Sequence, residues 1–322
     1  MAEKNSPVSV ILLNWNHAQN LENSLLNHVN QTLRPMEIIV VDDGSTDDSC
    51  DVVKKMATSH DLIRLVRHDK NRGVNQAIAT GIGEATGEFI RISASDDIIQ
   101  PDFFEKSLPI LMSSPNAGFC FSDPAEIIGE SAEILRFSHF LSSNPVYLSP
   151  ETLIRLMRRN QFTFSSNSII YRRDALARSG GFRENLEWQS DWFINLVLAL
   201  RDGCCYIPET LSVYRVDTQS YSAIGMRAPS IRREILFNLL DYLKTDDYND
   251  VGPLIQDMGL LPEYRLTTLY WLIRSPEHRG YVSTRLITQL VLRRIWKEIR
   301  PYTSVALRRF LRRILQGSVL SD

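Results

Sequence analysis

The stretch from Glu37 to Asp47, EIIVVDDGSTD, joins an aliphatic run directly to a cluster of acidic residues. Four consecutive aliphatic residues predict a strand that is buried on both faces of a sheet. Asp47 and Asp48 fall early in the segment that follows, where carboxylates favour the exposed backbone N–H groups of a helix. The stretch predicts a strand, an acidic turn and a helix. The alternative that the acidic turn serves only to cap this helix, with no role in binding, stays open.

Strand and helix signals alternate on either side of this stretch, through residues 8–121. Apolar runs predict strands, and apolar residues at helical spacing predict the helices between them. The predicted strands are 8–13, 37–41, 62–66, 88–92 and 118–121, and the predicted helices lie around Leu21, Leu25 and Val29, over 75–85 and from Pro101 onward. This order predicts the α/β class, with a Rossmann-like, open and mostly parallel sheet covered by helices on both faces.

The remaining chain divides into a less regular part and a helical part. Residues 123–165 predict loops over the cleft, and residues 166–216 return to order. Strands are predicted at 168–171, 206–208 and 211–215, with Cys204 and Cys205 just before the second of them. A length of 322 residues suggests about two domains. We predict one domain over 1–222 and a helical C-terminal region over 223–322.

Composition and charge exclude several classes of protein. The hydrophobic fraction of 43% and the charged fraction of 23% exclude disorder as the main state. The net charge of −2 gives no signature of nucleic-acid binding. Four cysteines without a CxxC pair predict reduced thiols. With neither a signal-like start nor an apolar run of roughly 20 residues, we expect a cytoplasmic protein.

Polar and acidic side chains follow three of the predicted strands, at residues 14–16, 42–43 and 95–97. Because ligands of open α/β sheets bind at the carboxyl ends of the strands, these residues predict a binding site. The adjacent carboxylates of Asp96 and Asp97 are costly at a strand end unless a cation compensates them. Mg²⁺ or Mn²⁺, completed by substrate phosphates, would do so. A helix-capping acidic turn before Pro101 is the alternative.

Asp191 stands at the start of an apolar helix predicted over 192–200. A carboxylate in this position is either the N-cap of the helix or a general base that faces the cleft. The residues alone leave both roles open.

Several segments together resemble the family 2 glycosyltransferases, which have the GT-A fold. The similar segments are SVILLNWN (9–16), EIIVVDDGSTD (37–47), GEFIRISASDD (87–97) and GGFRENLEWQSDWF (180–193), and the resemblance covers roughly residues 7–220. It implies inverting transfer of a sugar from a nucleotide-sugar donor to a hydroxyl of a glycan or a lipid-linked saccharide, as in polysaccharide biosynthesis.

The resemblance also implies a role for individual residues. Contacts to the nucleotide sugar would come from Leu13, Asn14, Asn16, Asp42, Asp43, Arg72, Ser95, Asp96, Arg215 and Ser220. Asp96, with Asp97 as adjacent support, would hold Mn²⁺ or Mg²⁺ against the donor diphosphate. Asp191 would be the general base. Arg215 and Ser220 match a flexible segment near the diphosphate.

Four positions depart from the pattern of the family. Ala94 replaces the first acid of its DxD motif, and Ser190 replaces an acid before the base. Ile78 replaces an arginine, so that Arg72 or another cation must neutralise phosphate, and Asp217 replaces a histidine. These departures keep a catalytically degenerate sugar-nucleotide-binding or scaffold protein open as an alternative, and a nucleotidyltransferase is the second alternative.

The C-terminal tail carries a net positive charge, whereas the rest of the chain carries a net negative one. Residues 291–322 hold eight basic and two acidic residues, which leaves the tail at about +6 and the rest at about −8. Within residues 304–316, the pattern predicts a helix with one apolar face and one arginine-rich face. Such a helix either lies on an anionic membrane, at the inner face of the plasma membrane, or docks on its own domain or on a second copy of the chain.

Overall fold

The structure, a computed structural model, describes residues 6–128, 134–136, 138–139, 141–159, 164–216, 221–262 and 265–299. The strands in these residues are β1 (Ser6–Asn14), β2 (Pro35–Asp42), β3 (Ile63–Arg67), β4 (Phe89–Ala94), β5 (Ile98–Ile99), β6 (Phe119–Ile128), β7 (Ile134–Arg136), β8 (Val146–Leu148), β9 (Ile169–Arg172) and β10 (Cys204–Val216). The α-helices are α1 (Ala18–Val29), α2 (Ser49–Ser59), α3 (Val74–Glu84), α4 (Phe103–Ser113), α5 (Pro150–Arg159), α6 (Arg173–Arg178), α7 (Ser190–Arg201), α8 (Tyr221–Gly225), α9 (Pro229–Tyr242), α10 (Gly252–Met258), α11 (Leu266–Arg274) and α12 (Thr284–Ile299).

The strands form one mixed sheet in the order β3-β2-β1-β4-β9-β6-β10-β5. Strands β1 to β4 are parallel to one another, and β6 is parallel to β10. Strand β9 lies antiparallel between β4 and β6 and joins the two parallel parts. The predicted α/β class with a largely parallel sheet is therefore confirmed. The short antiparallel strands β5, β7 and β8 were not expected from the sequence.

Both faces of the sheet are buried, as the aliphatic run in β2 predicts. Ile39 and Val41 pack into one hydrophobic cluster, and Ile38 and Val40 pack into a second. This alternation follows from the two-residue period of a strand, which sends successive side chains to opposite faces. Helices cover both clusters, so the carboxyl ends of the strands are left as the open edge.

Helix α3 lies very close to β1. A Cβ atom at Gly81 would stand 2.3 Å from Ile11 Cγ2, so that only glycine permits this approach. The close packing holds α3 against the sheet, where the helix also contacts β2.

The structure corrects the prediction in two places. Residues 123–165 are more regular than expected, because β6 continues to Ile128 and α5 buries three apolar side chains. The two segments predicted at 206–208 and 211–215 are one strand, β10, which includes Cys204 and Cys205. Its pairing with β6 shifts register between Ile207 and Ser212, around Pro208, which cannot donate a ladder hydrogen bond and so breaks the pattern.

The C-terminal helices share a core with the sheet. Leu236 and Leu239 of α9 belong to the same hydrophobic cluster as Phe193 of α7 and Phe119 of β6. The division at residues 222 and 223 stays a prediction. Among the described residues, no helix is both long and apolar enough to cross a membrane. The tail helix predicted at 304–316 lies outside the described residues.

Candidate active site

The carboxyl ends of neighbouring strands bring predicted site residues together. Asn14 at the end of β1 is paired with Asp42 at the end of β2, and Leu13 is paired with Ala94 at the end of β4. On the other side of β2, Asp42 is paired with Arg67 of β3. The edge predicted from strand order is therefore present.

Asp42 joins the turn after β1 to the turn after β2. It is fully buried, and its carboxylate accepts hydrogen bonds from the Asn14 side chain at 2.9 Å and from the Ser45 N–H at 3.0 Å. The Ser45 hydroxyl accepts the N–H of Asn16 at 2.9 Å, and Asn16 has a positive φ of 54°. The two turns are thus locked to each other, and Trp15, between the two asparagines in sequence, stays 50% exposed.

Asp43 organises the loop that precedes α3. Its carboxylate accepts the N–H groups of Arg72 and Gly73 at 2.9 and 2.8 Å, and the Nδ1 of buried His68 lies 2.7 Å away. The carboxylates of Asp42 and Asp43 are both engaged within the protein. The groups that stay open at this edge include the Arg72 guanidinium, whose side chain is 48% exposed and whose contact with Asp69 is long, at 3.7 Å.

The acidic turn after β4 contains two adjacent carboxylates that have different environments. Asp97 is buried, and its Oδ2 accepts the Ala94 N–H at 3.0 Å. Burial raises the pKa of Asp97 to about 6, and the positive charge of Arg91 acts in the opposite direction. Asp96 is partly exposed and makes no hydrogen bond or ion pair with the described part of the chain. Ser95, between Ala94 and Asp96, is buried.

This turn has the chemistry for a hard divalent cation but supplies few ligands. Mn²⁺ and Mg²⁺ prefer oxygen ligands, and Asp96 offers a partly exposed, unpaired carboxylate. Asp97 already accepts a main-chain hydrogen bond, and Ala94 contributes no carboxylate. Within the described residues, no group of three or more His, Cys, Asp or Glu side chains could hold a metal ion. A cation held by Asp96 would therefore need most of its ligands from a bound diphosphate and from water.

Asp191 lies in the first turn of α7, which begins at Ser190. Its Oδ2 accepts the Ser166 hydroxyl at 2.8 Å, and its Oδ1 accepts the adjacent Trp192 N–H at 2.6 Å. The residue before the helix is Gln189, so the N-cap alternative for Asp191 is wrong. Burial raises the pKa of Asp191, whereas the two hydrogen bonds act to lower it.

The segment before α7 is tied to α3. Asn75 of α3 donates to the Glu187 carbonyl at 2.9 Å, and Glu187 has a strained positive φ of 48°. The Ser190 hydroxyl accepts the Arg183 N–H at 2.6 Å, which gives a structural role to the serine that replaces an acid of the family pattern. These bonds fix the segment that leads to Asp191.

Arg215 and Ser220 are the remaining predicted site residues. Arg215 is an exposed residue near the end of β10, and Val213, two residues before it, is paired with Ile98, which directly follows the acidic turn. Ser220 lies outside the described residues, and so does Asp217.

Sequence reasoning missed the residues that connect these turns. Arg91 is fully buried in β4, and its guanidinium donates to main-chain carbonyls of the turn at 166–169. Ser166, in that turn, reaches Asp191. A charged residue inside the apolar run FIRIS was the available signal for Arg91. Ser166 gave no signal, because an isolated serine is common in loops.

The mixed α/β sheet, with acidic turns after β2 and β4 and a hydrogen-bonded carboxylate at the start of α7, is the arrangement of a GT-A glycosyltransferase. The model of the glycosyl transferase family 2 matches residues 9–180, which is more than half of the chain. The chain belongs to this family.

Relatives in sequence and structure are consistent with this membership. The chain is 25% identical over 236 residues to the uncharacterized glycosyltransferase YibD of Escherichia coli (strain K12), an alignment that covers 70% of this chain and 65% of YibD. It is similar to the mannosyltransferase PcManGT from Pyrobaculum calidifontis, solved in complex with GDP-Man and Mn²⁺, with a TM-score of 0.57, 20% identity, and coverage of 99% of this chain and 88% of that one. It is also similar to S. aureus TarS 1-349 in complex with UDP-GlcNAc, with a TM-score of 0.61, 18% identity, and coverage of 85% and 89%.

The two structural likenesses show the GT-A fold. The matched part of this chain spans 65% of the length of YibD and between 27% and 34% of three further curated relatives.

Proposed function

We propose that the chain transfers a sugar from a nucleotide-sugar donor to an acceptor hydroxyl with inversion, and that Asp191 is the general base. One observation carries this proposal. A carboxylate held by hydrogen bonds at both oxygens is connected, through Ser166 and Arg91, to the strand that ends in the acidic turn. These hydrogen bonds thereby connect the proposed base to the proposed site of the leaving diphosphate.

The proposed roles follow from the position of each group. The locked turns after β1 and β2, with exposed Trp15, would hold the base and ribose, and Arg72 would contact phosphate. Asp96 would hold Mn²⁺ or Mg²⁺, which stabilises the charge that grows on the leaving nucleoside diphosphate. Asp191 would accept the proton of the acceptor hydroxyl as that oxygen attacks the anomeric carbon. A single displacement inverts the configuration and needs no nucleophile from the protein.

The two alternatives differ from the proposed reaction in what is released from the donor. A nucleotidyltransferase would release pyrophosphate, whereas the proposed reaction releases a nucleoside diphosphate. A degenerate sugar-nucleotide-binding protein would bind a donor and release neither. Chromatography of the products after incubation with a bound donor therefore distinguishes the three, and release of pyrophosphate or of no product would contradict the proposal.

We expect Asp96→Asn to abolish metal-dependent donor binding. UDP-, GDP-, CMP- and dTDP-linked sugars are tested with and without Mn²⁺, and the melting temperature is measured. A donor at about 100 times its Kd raises the melting temperature of a chain of this size by about 5 °C, because it binds only the folded state. The wild type should show this shift with one nucleotide and Mn²⁺.

The matched control for this experiment is Asp257→Asn. Asp257 is an exposed residue of α10 whose carboxylate pairs with Arg158, far along the chain from the acidic turn. It should keep the full shift. An equal shift in the wild type without Mn²⁺ would mean that the single carboxylate of Asp96 does not recruit a metal, and that Ala94 marks the loss of this site.

We also propose that the C-terminal region meets an anionic membrane surface. Val291, Leu292 and Ile295 of α12 are exposed, and Arg293 and Arg294 stand among them in sequence. Apolar and basic side chains together favour anionic lipid surfaces, at about 1 kcal/mol for each basic residue. Such a surface would suit a lipid-linked acceptor.

The membrane proposal predicts that the full chain sediments with vesicles that contain phosphatidylglycerol. A variant that ends at residue 300 and also carries Arg293→Gln and Arg294→Gln should bind them much less, and added salt should weaken binding by the full chain. Vesicles of phosphatidylcholine alone are the control. Equal sedimentation of the two proteins, or none of either, would contradict this proposal.

A further inference from the structure

A chain of hydrogen bonds runs from β4 to the Asp191 carboxylate. The guanidinium of Arg91 donates to the main-chain carbonyls of Ser166, Asn167 and Ile169. The Ser166 hydroxyl donates to Asp191 Oδ2 at 2.8 Å. The strand that ends in the acidic turn is therefore joined to the carboxylate by one buried cation and one short turn.

The direction of the Ser166 hydroxyl is fixed from behind. Asn195 of α7 donates through Nδ2 to Ser166 Oγ at 3.0 Å, and its Oδ1 accepts the Tyr171 hydroxyl at 2.7 Å. Because a serine hydroxyl has a single proton, and because Ser166 Oγ is already an acceptor for Asn195, that proton is directed to Asp191. Each donor in the series Tyr171, Asn195 and Ser166 is therefore directed along the chain towards Asp191.

A fully buried guanidinium is costly unless its N–H groups are paired. Arg91 pairs its terminal nitrogens with carbonyls of one turn, and its Cζ atom lies 5.0 Å from the centre of the Phe103 ring. Because burying a cation is costly, the use of Arg91 to fix this turn implies that the position of the turn is important. The side chain of that turn that reaches Asp191 is Ser166.

We propose that Ser166, held by Arg91 and Asn195, is a positioning residue that orients the Asp191 carboxylate towards the acceptor hydroxyl. This inference rests on the proposed function. The Trp192 N–H holds one carboxylate oxygen and Ser166 holds the other, so the carboxylate cannot rotate without losing a hydrogen bond. Each oxygen keeps a further lone pair with which to accept a proton.

The titratable and charged groups around this network are few in the described residues. Tyr171 of β9 faces Asp191, and burial and then the Asp191 charge raise the pKa of that phenol. Arg91 of β4 donates hydrogen bonds to the main chain of the turn that carries Ser166. Asp97 interacts electrostatically with Arg91 rather than with Asp191.

The test is the pH profile of Ser166→Ala, measured as release of nucleoside diphosphate from the donor that gives the largest thermal shift. We expect kcat to fall about tenfold at the acidic end, because a hydrogen bond that favours the ionised carboxylate is lost. The acidic limb should move to higher pH, and KM for the donor should stay unchanged. Ser166→Thr keeps a hydroxyl and should restore most of kcat.

Ser168→Ala is the matched control, because the Ser168 hydroxyl lies in the same turn and donates to the Ser165 carbonyl at 2.8 Å. It should leave the profile unchanged. If Ser166→Ala does not fold, Tyr171→Phe removes the first donor of the chain and should move the acidic limb in the same direction by less.

A wild-type profile in Ser166→Ala, or an equal change in Ser168→Ala, would overturn the inference. This failure is separable from failure of the proposed function. Inactive Asp191→Asn with an unaffected Ser166→Ala overturns only the positioning role, whereas an active Asp191→Asn overturns both.

Discussion

Asp191→Asn should lower kcat by about 10²- to 10⁴-fold, because an amide cannot take the proton of the acceptor hydroxyl. Donor binding should be retained, since asparagine keeps the size of the side chain and a carbonyl that accepts the Ser166 hydroxyl. The two readouts are release of nucleoside diphosphate and the donor-induced rise in melting temperature. Loss of the first with retention of the second is the expected result.

The control for this variant is again Asp257→Asn, which removes a carboxylate from the surface of α10. It should keep both turnover and the thermal shift. Turnover near the wild-type rate in Asp191→Asn would show that another group removes the proton. Loss of the thermal shift in Asp191→Asn would instead place the residue in donor binding.

The pH dependence follows from the environment of the same carboxylate. A general base must be ionised to accept a proton, so activity falls as pH drops through its pKa. Because burial raises the pKa of Asp191 above the ordinary value of an aspartate, the acidic limb should lie at a higher pH than an exposed aspartate would give.

The parallel part of the fold is predictable because its strands are buried on both faces. Runs such as IIVV in β2 have no polar alternation, which identifies them as inner strands of a layered α/β sheet. The antiparallel strand β5 has only two residues, Ile98 and Ile99, and its partners are Ser212 and Val213 of β10. No local pattern identifies so short a strand, because its pairing depends on residues more than a hundred positions away.

The candidate site likewise contains positions that the sequence predicts and contacts that it does not. Asp42, Asp96 and Asp191 could be proposed as site residues from the sequence, because acidic residues at strand ends and helix starts stand out. Arg91 and Ser166 lie 75 residues apart, and their contact runs through a main-chain carbonyl, which no side-chain pattern reports. The hydrogen bonds of the Asp43 carboxylate could not be predicted from the sequence either, because its partners are main-chain N–H groups of the loop before α3.

That loop makes Gly44→Ala the second substitution with a large expected effect. Gly44 has a positive φ of 74°, and an added Cβ would stand 2.5 Å from the Lys70 carbonyl carbon and 2.7 Å from the Asn71 nitrogen. Both atoms are main chain, so the loop must move, and with it the N–H groups that hold Asp43. The strained conformation alone costs roughly 1–2 kcal/mol, and the clash adds to it.

Gly83→Ala makes the matched comparison, since an added Cβ at Gly83, an exposed position in α3, meets no atom within 4 Å. Alanine is favoured over glycine in a helix by up to about 1 kcal/mol, so this variant should melt at or above the wild-type temperature. Gly44→Ala should melt several degrees lower and bind donor at least about tenfold more weakly, because Asp43 no longer fixes the loop that carries Arg72. Donor titrations followed by melting temperature measure both effects. Gly44→Ala that behaves like Gly83→Ala would mean that the loop adapts freely, and that the contact between Asp43 and the loop does not shape the nucleotide site.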